Sequence, residues 1–559
     1  MKSKTGKLLL IGINFAVFLF FLMLKQSAFE GNDDEMMNLI AAGAFGTNGN
    51  HLIFSGILTE WVLRILYLLP WKINYYLLWF QMLAFAALSA VSTVCWSEKP
   101  VIKGVVFTLL LNLIFANDFY LYMQFTKLGS LLAAAAILLL HDAFRRRSWL
   151  TGSTGILLLV LGISVRQESA LFALPFGACW LLEDYCSVCE NGKLLRFRDQ
   201  AGGKFLVKLV LSTAAACAIL LGLNRLPYQS PEWKAYERFN RVRSNLLDYG
   251  MADYETNADA YINIGVSYED YRLLREWVFA DPEVFTVEKL EKIDAISNGR
   301  GMRAGLKQAY ASFVSAVRYG SYSHLVLILL AVLVIADGKK KHRILLATGG
   351  MVLAEYLFLG ILGRINIRVE LGIWFAALLV LLYETEEERL LEKKPLLVIA
   401  AVLAAAEGFR SVQAIAERLE LNRKAAESTE FSEYFLKDAE KAAENCYLMD
   451  EKTIYRGGSI FSSPYTITSD LDQLLINVCP LGGWEYPAPF LIEDIKEAGV
   501  ANPLKDLLYQ DHIYFATVNR NGICDVLLNY LREHYDPSAE MRHAGEIRGI
   551  GIVEYYIPE

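Results

Sequence analysis

Apolar positions along the chain fall into long blocks separated by short polar stretches. A bilayer core asks for roughly 20 apolar residues per helix, fewer where the ends snorkel, and by that measure about eleven blocks read as spanning helices. They are Lys7–Lys25, Ile73–Trp96, Val101–Ala116, Gly129–Phe144, Trp149–Val165, Ser169–Leu182, Phe205–Leu223, His324–Ala336, Ile344–Leu362, Leu371–Tyr383 and Pro395–Ala406. The stretch "NHLIFSGILTEWVLRILYLLPWKIN" is also apolar but carries Glu60, Arg64 and Lys72. That mixture suits an amphipathic helix lying in the interface, with Trp61, Trp71, Tyr75 and Tyr76 at headgroup depth.

Two segments break the apolar pattern. Residues 224–323 are soluble in composition and read as helical: Ser230 followed by Pro231 starts one helix, and "SYED", Ser267 to Asp270, is a capping box before another. After Glu407 the chain turns globular: "FRSVQAIAERLELNRKAAESTEFSEYFLKDAEKAAE" and "GICDVLLNYLREHY" read as helices, "DHIYFATV" and "IRGIGIVEYYI" as strands. The expected fold class is mainly α: a polytopic membrane domain over 1–408, with loops 26–72 and 224–323 on one side, then a small extracytoplasmic α/β domain over 409–559.

Cations orient the helices, because short cytoplasmic loops accumulate Lys and Arg. With the N-terminus inside, every inner loop is basic: Lys99 and Lys103, Arg145 to Arg147, Lys193 to Lys204, Lys339 to Arg343, and Arg389 to Lys394. The first segment resembles a signal peptide in its Lys2, Lys4 and Lys7 but lacks a small-residue cleavage site, and reads as a retained helix. The composition, 54% hydrophobic and 21% charged, is that of a membrane protein, and a net charge of −7 leaves no basic surface for nucleic acid. The eight cysteines include one CxxC, Cys186 and Cys189, without a second pair at metal spacing, and imply no disulfide framework.

On this threading, ionisable residues gather at one membrane level. Asp33, Asp34 and Glu35 follow the first helix, Asp118 ends the third, and Lys127 opens the fourth. Arg166 and Glu168 lie between the fifth and sixth, and Arg364 and Arg368 between the ninth and tenth. Charge at a membrane edge is costly unless paired or wetted, so such residues are site candidates. A carboxylate can take a proton from an acceptor or hold a divalent cation, while Arg and Lys grip a departing phosphate. Plainer explanations stand beside each: acids favour a helix N-terminus, Arg166 can pair with Glu168, and Lys127 can anchor at the interface. On a helix, Arg364 and Arg368 would share a face. His51 is a candidate ligand or shuttle, with Glu60 as a further supporting acid, although "GTNGNH" is also a plain turn.

One spanning helix, the acidic "NDDEMMNLIAAGAF" and then an interfacial helix together resemble the GT-C glycosyltransferases, which use lipid-phosphate sugars. "LGISVRQESALFALPFGACWLL" is similar to the Gly-rich helix, Arg, acid and Leu/Pro-rich helix midway through such proteins, and the likeness extends to "GRINIRVELG". The resemblance implies that Asp34 or Asp33 is the catalytic base, with Asp34 ahead, and that Asp118 is a second-loop acid. It further implies that outer arginines, here Arg166, Arg364 and Arg368, bind donor phosphate; by position Lys127 joins them as a phosphate candidate, with Glu35, His51, Glu60 and Glu168 as supporting candidates. The donor would be a polyprenyl-phosphate or pyrophosphate sugar and the acceptor a glycan, lipid or protein. Mg or Mn is a candidate cofactor without an assigned ligand set. The place implied is the outer face of a bacterial cytoplasmic membrane. The rival classes are a polysaccharide polymerase or lipid-linked glycan ligase, which needs arginines and no acid pair, and a flippase or transporter. Transporters usually carry charge at mid-depth, where this chain has little apart from Glu355.

Overall fold

The computed structural model describes residues 4–46, 51–189, 201–248, 250–297, 302–319, 323–327, 342–384, 394–426, 445–450, 453–454, 471, 475–518, 522–547 and 550–559. The chain is mainly helical with a small sheet near its C-terminus. Among the described residues six helices are long and apolar enough to cross a membrane. These are α1 (Lys4–Leu24), α4 (Tyr75–Trp96), α5 (Val101–Ala116) with the π-turn Asn117–Leu121, α6 (Phe125–Arg146), the apolar part of α9 (Ala201–Leu223), and Arg343–Leu362 within the helix His342–Leu362. α7 (Trp149–Val165) is apolar but shorter, and α8 (Gln167–Cys189) contains Pro175 in its interior. The expected span at His324–Ala336 lies mostly outside the described residues, and so do the Lys193–Lys204 and Arg389–Lys394 loops apart from their last residues.

Apolar side chains point outward from the bundle, as lipid contact requires: Leu8, Met23, Leu150 and Leu346 are all well exposed. Some of the polar side chains inside pair across helices. Asn14 of α1 donates to Ser92 Oγ at 3.2 Å, and Asn112 of α5 donates to Asn14 Oδ1 at 2.8 Å, so one hydrogen-bonded string ties three helices together.

The two ends of the bundle differ. α6, 22 residues and therefore about 33 Å long, connects them. At its C-terminal end Arg145 meets Glu384, and Arg146 meets Glu98 and Asp142. At its N-terminal end stand the loops that follow α1 and α5, clamped by a two-stranded parallel ladder of β1 (Ala28–Phe29) and β2 (Tyr122–Met123). α2 (Asn32–Ala42) starts directly after β1. α3 (Ile57–Tyr67) buries Ile57, Thr59, Glu60 and Leu63 and exposes Trp61 and Ile65, with Leu68 and Trp71 exposed beyond it. This two-sided character is that of a helix lying on an apolar boundary.

α10 (Pro231–Leu247) opens the segment beyond α9. Pro231 occupies its first turn and the Ser230 side chain accepts from the Trp233 amide. Ser267 and Asp270 form the expected capping box at the helix Tyr268–Arg275. The tail folds into a five-stranded sheet ordered β4-β3-β5-β7-β6: β3 (Cys446–Met449), β4 (Val478–Pro480), β5 (Ile513–Thr517), β6 (Glu540–Ile547) and β7 (Ile550–Tyr556). β4, β3 and β5 are parallel, and β7 and β6 join antiparallel.

Two features are not visible in hydropathy alone. The helix Lys394–Ala426 passes through Gly408 without a break, so the change from apolar to polar composition falls inside one helix and marks no chain boundary. The tail also packs against the 224–323 segment. Phe279 N–H donates to Leu481 O at 2.9 Å. Fully buried Asp281 accepts from Tyr530, Tyr535 and Asn502, and Asp270 joins Lys289 and His534. Hydropathy separates the two segments; packing joins them.

Candidate active site

At the β1–β2 end of the bundle lies a cavity of about 750 Å³. It is walled by the start of α2, the loop at Ile53 and Phe54, the start of α6, the α7–α8 turn, Tyr228 and α10, Trp277, the turn around Leu362, and the tail at Trp484. Asp33 enters from the first turn of α2. Gly31 precedes that helix in an extended conformation and provides no side-chain cap, so the acids Asp33, Asp34 and Glu35 face the free N–H groups and positive dipole end.

Asp33 Oδ2 is 3.8 Å from Nη1 of Arg368. Their approach depends on Gly31, where a Cβ would sit 2.8 Å from the same nitrogen. Burial pushes the Asp33 carboxyl above its ordinary range, and the charges of Arg368 and Arg166 oppose the shift. Arg166 leaves the end of α7 in an extended conformation, with its Nε 3.0 Å from Glu168 and its guanidinium against the Phe54 and Phe125 rings, 5.0 and 4.9 Å from their centroids. Arg364 and Arg368 do not share a helix, because the backbone turns left-handed at Gly363 and a new helix, Ile367–Glu384, begins after Asn366. Arg364 instead reaches Ser244 Oγ of α10 at 3.3 Å.

Of the residues singled out from the sequence, the cavity brings together Asp33, Arg166, Glu168, Arg364 and Arg368. The others lie elsewhere. Asp34, expected ahead of Asp33, is fully buried one helical step away: both its oxygens accept from the Phe125 amide at 3.1 and 3.2 Å, and Tyr76 O–H donates to Oδ1 at 3.1 Å. Burial raises its carboxyl strongly, with the Phe125 hydrogen bond opposing. Successive helical residues point about 100° apart, so only one of two adjacent acids can face a given wall. Asp34 therefore holds α2 against α4 and α6. Burial pushes Glu35 up to about 8, with Arg418 opposing, and it does not line the cavity.

Lys127 points away from the cavity and is buried between Asp118 and Glu30, its Nζ 2.8 Å from Asp118 Oδ1. Its charge is thus satisfied by two carboxylates before any phosphate arrives, and Asp118 is engaged in the same cluster. His51 Nδ1 lies 2.6 Å from Glu60 Oε2, and Tyr228 and Trp233 meet the ring edge-on, behind the cavity wall.

Sequence reasoning missed the α10 contribution. Arg241, Arg243 and Asp248 line the cavity from a segment whose polar composition reads as ordinary surface. Arg243 is 5% exposed, bonds Asn240 Oδ1 through two nitrogens at 3.0 and 2.7 Å, and lies 3.5 Å from Asp248. The available signal was two arginines, Arg241 and Arg243, inside the apolar spacing Tyr236, Phe239, Val242, Leu246. That pattern sets them at the border of the buried face.

The groups acting most strongly on the Asp33 carboxylate are guanidiniums, a donor set that fits an anion better than a cation. Among the described residues no three His, Cys, Asp or Glu side chains gather to hold a metal ion. No family model matches the chain, and no curated protein or solved structure matches it.

Proposed function

We propose that the protein is an integral membrane glycosyltransferase of the GT-C kind, taking a sugar from a polyprenyl-phosphate or pyrophosphate donor at the outer face of a cytoplasmic membrane. The observation that carries this reading is the carboxylate of Asp33 facing Arg368, Arg166 and Arg364 in one cavity at the end of an apolar bundle. An acceptor hydroxyl attacks the anomeric carbon and its proton passes to Asp33. The bond from that carbon to the phosphate oxygen breaks, and the phosphate leaves with the electron pair, held by the guanidiniums. Apolar helix surfaces next to the cavity suit the polyprenyl chain. The basic residues Arg145, Arg146 and Lys99 lie at or near the opposite end of the bundle, which supports an outward-facing cavity.

This assignment moves the base from Asp34 to Asp33. The test is sugar transfer from a polyprenyl-phosphate donor by purified protein in vesicles. Asp33→Asn is expected to lower turnover about 10²- to 10⁴-fold, as loss of a general base does.

A lipid-linked glycan ligase is the second reading, favoured by the five arginines lining the cavity beside a single acid of the first-loop cluster. Asp33→Asn and Arg368→Ala separate the two, since a ligase depends on the arginine alone.

A further inference from the structure

Trp277 occupies a backbone position that a tryptophan rarely holds. The helix Tyr268–Arg275 closes with Trp277 N–H donating to Leu274 O and Val278 N–H to Leu273 O, both at 3.0 Å. That pair of bonds is the Schellman closure, whose left-handed position is normally Gly. Trp277 takes it at φ 63°, a strained setting for a bulky residue. The backbone there is pinned from the tail side as well, because Gly482 packs so closely on the Trp277 carbonyl that a Cβ would collide with it. Strain retained where Gly would relieve it points to work done by the side chain.

The indole is half-buried and lines the same cavity as Asp33. The Arg243 guanidinium, fixed by Asn240 and Asp248, lies 5.5 Å from the ring centroid and also acts electrostatically on Asp33. Asn240, Ser244 and Asn245 continue the wall along one face of α10 with neutral hydrogen-bonding side chains. Phe54 and Trp484, 4.6 Å apart between centroids, add further aromatic wall. A pyranose presents an apolar face of C–H bonds, which packs on the electron-rich face of an indole, and a rim of hydroxyls that neutral amides and hydroxyls satisfy.

We infer that Trp277 is the stacking platform for the acceptor and that the acceptor is a carbohydrate, held between α10 and the tail with a hydroxyl toward Asp33. The inference rests on the sugar-transfer reading and narrows its acceptor from glycan, lipid or protein to glycan.

The test uses the full-length protein in lipid nanodiscs and measures binding, not turnover. The probes are free oligosaccharides of glucose, galactose, mannose and N-acetylglucosamine, a Ser/Thr-rich peptide, and a polyprenyl phosphate. Trp277→Gly removes the ring while suiting the left-handed backbone, so the fold is kept; Trp277→Phe restores an aromatic face. At least one oligosaccharide is expected to bind the wild type. Trp277→Gly weakens it by about tenfold or more and Trp277→Phe recovers most of the loss, while polyprenyl-phosphate affinity stays within about twofold. Equal oligosaccharide affinity in Trp277→Gly overturns the inference. So does a wild type that binds none of the sugars, or one in which the peptide is the probe that Trp277→Gly loses. Failure of the wild type to bind polyprenyl phosphate sinks the sugar-transfer reading instead, whatever happens at Trp277.

Discussion

Asp33 and Arg368 meet at 3.8 Å across a cavity, although one stands just after the first helix and the other far along the chain. The pair sets a pH dependence. A base works in its ionised form, and burial raises the Asp33 carboxyl, so kcat/KM is expected to climb as pH rises through that elevated value. Arg368 opposes the shift; Arg368→Ala therefore moves the acidic limb to higher pH. The stability linkage has the matching sign: with the folded-state value raised, the contribution is full below the unfolded value of 3.8 and is lost as pH rises through the folded one. A pH–rate profile whose acidic limb does not move in Arg368→Ala contradicts the coupling.

Asp34 is expected to behave in the opposite way. Asn at this position can still accept from the Phe125 amide and the Tyr76 hydroxyl, so Asp34→Asn retains most activity and stability. Asp34→Ala orphans both buried donors, at a cost of about 1–3 kcal/mol. Thermal melts of the two variants beside the Asp33→Asn turnover decide which acid faces the substrate.

Gly31→Ala tests the geometry of the pair without touching either charge. The new Cβ displaces the Arg368 guanidinium from its place beside Asp33. Weakened donor affinity by about tenfold, as for the loss of one charge-assisted contact, is the expected result, with turnover at saturating donor less affected. Unchanged donor affinity would show that Arg368 does not act from this position.

Asp281 joins the 224–323 segment to the tail through Tyr530, Tyr535 and Asn502. Asp281→Ala removes the shared acceptor of a buried network and is expected to cost about 1–3 kcal/mol for each donor left unpaired. Hydrogen exchange should report it as faster exchange confined to the tail sheet and the helix Tyr268–Arg275, with α1 to α6 unaffected. Faster exchange throughout the bundle would mean that the two regions do not open independently of the spans.

Local features were legible from the sequence because they are encoded within a few residues. The apolar block behind α4, the Ser267 capping box, the Ser230–Pro231 helix start and the Ile, Val and Tyr run of β7 each depend on neighbours in the chain. The candidate site was legible in part: charge at the ends of apolar blocks pointed to Asp33, Arg166, Arg364 and Arg368, but Lys127 and Asp118 carried the same signal and pair with each other. Arg243 and Trp277 gave no such signal, since a polar amphipathic helix and a loop tryptophan look alike whether they face solvent or a cavity.

By itself, then, the sequence determined that the chain is mainly helical with several long apolar helices, and where the helix caps and two of the tail strands begin; of the eleven expected spans, six are long and apolar enough to cross a membrane among the described residues. Hydropathy and backbone preference act locally and survive without the fold. Only the tertiary structure decided that Asp33 and not Asp34 faces the arginines, that Lys127 is consumed by Asp118 and Glu30, and that the tail closes the wall at Trp484. Those outcomes depend on helix rotation and on contacts between residues hundreds of positions apart, which one-dimensional patterning leaves open.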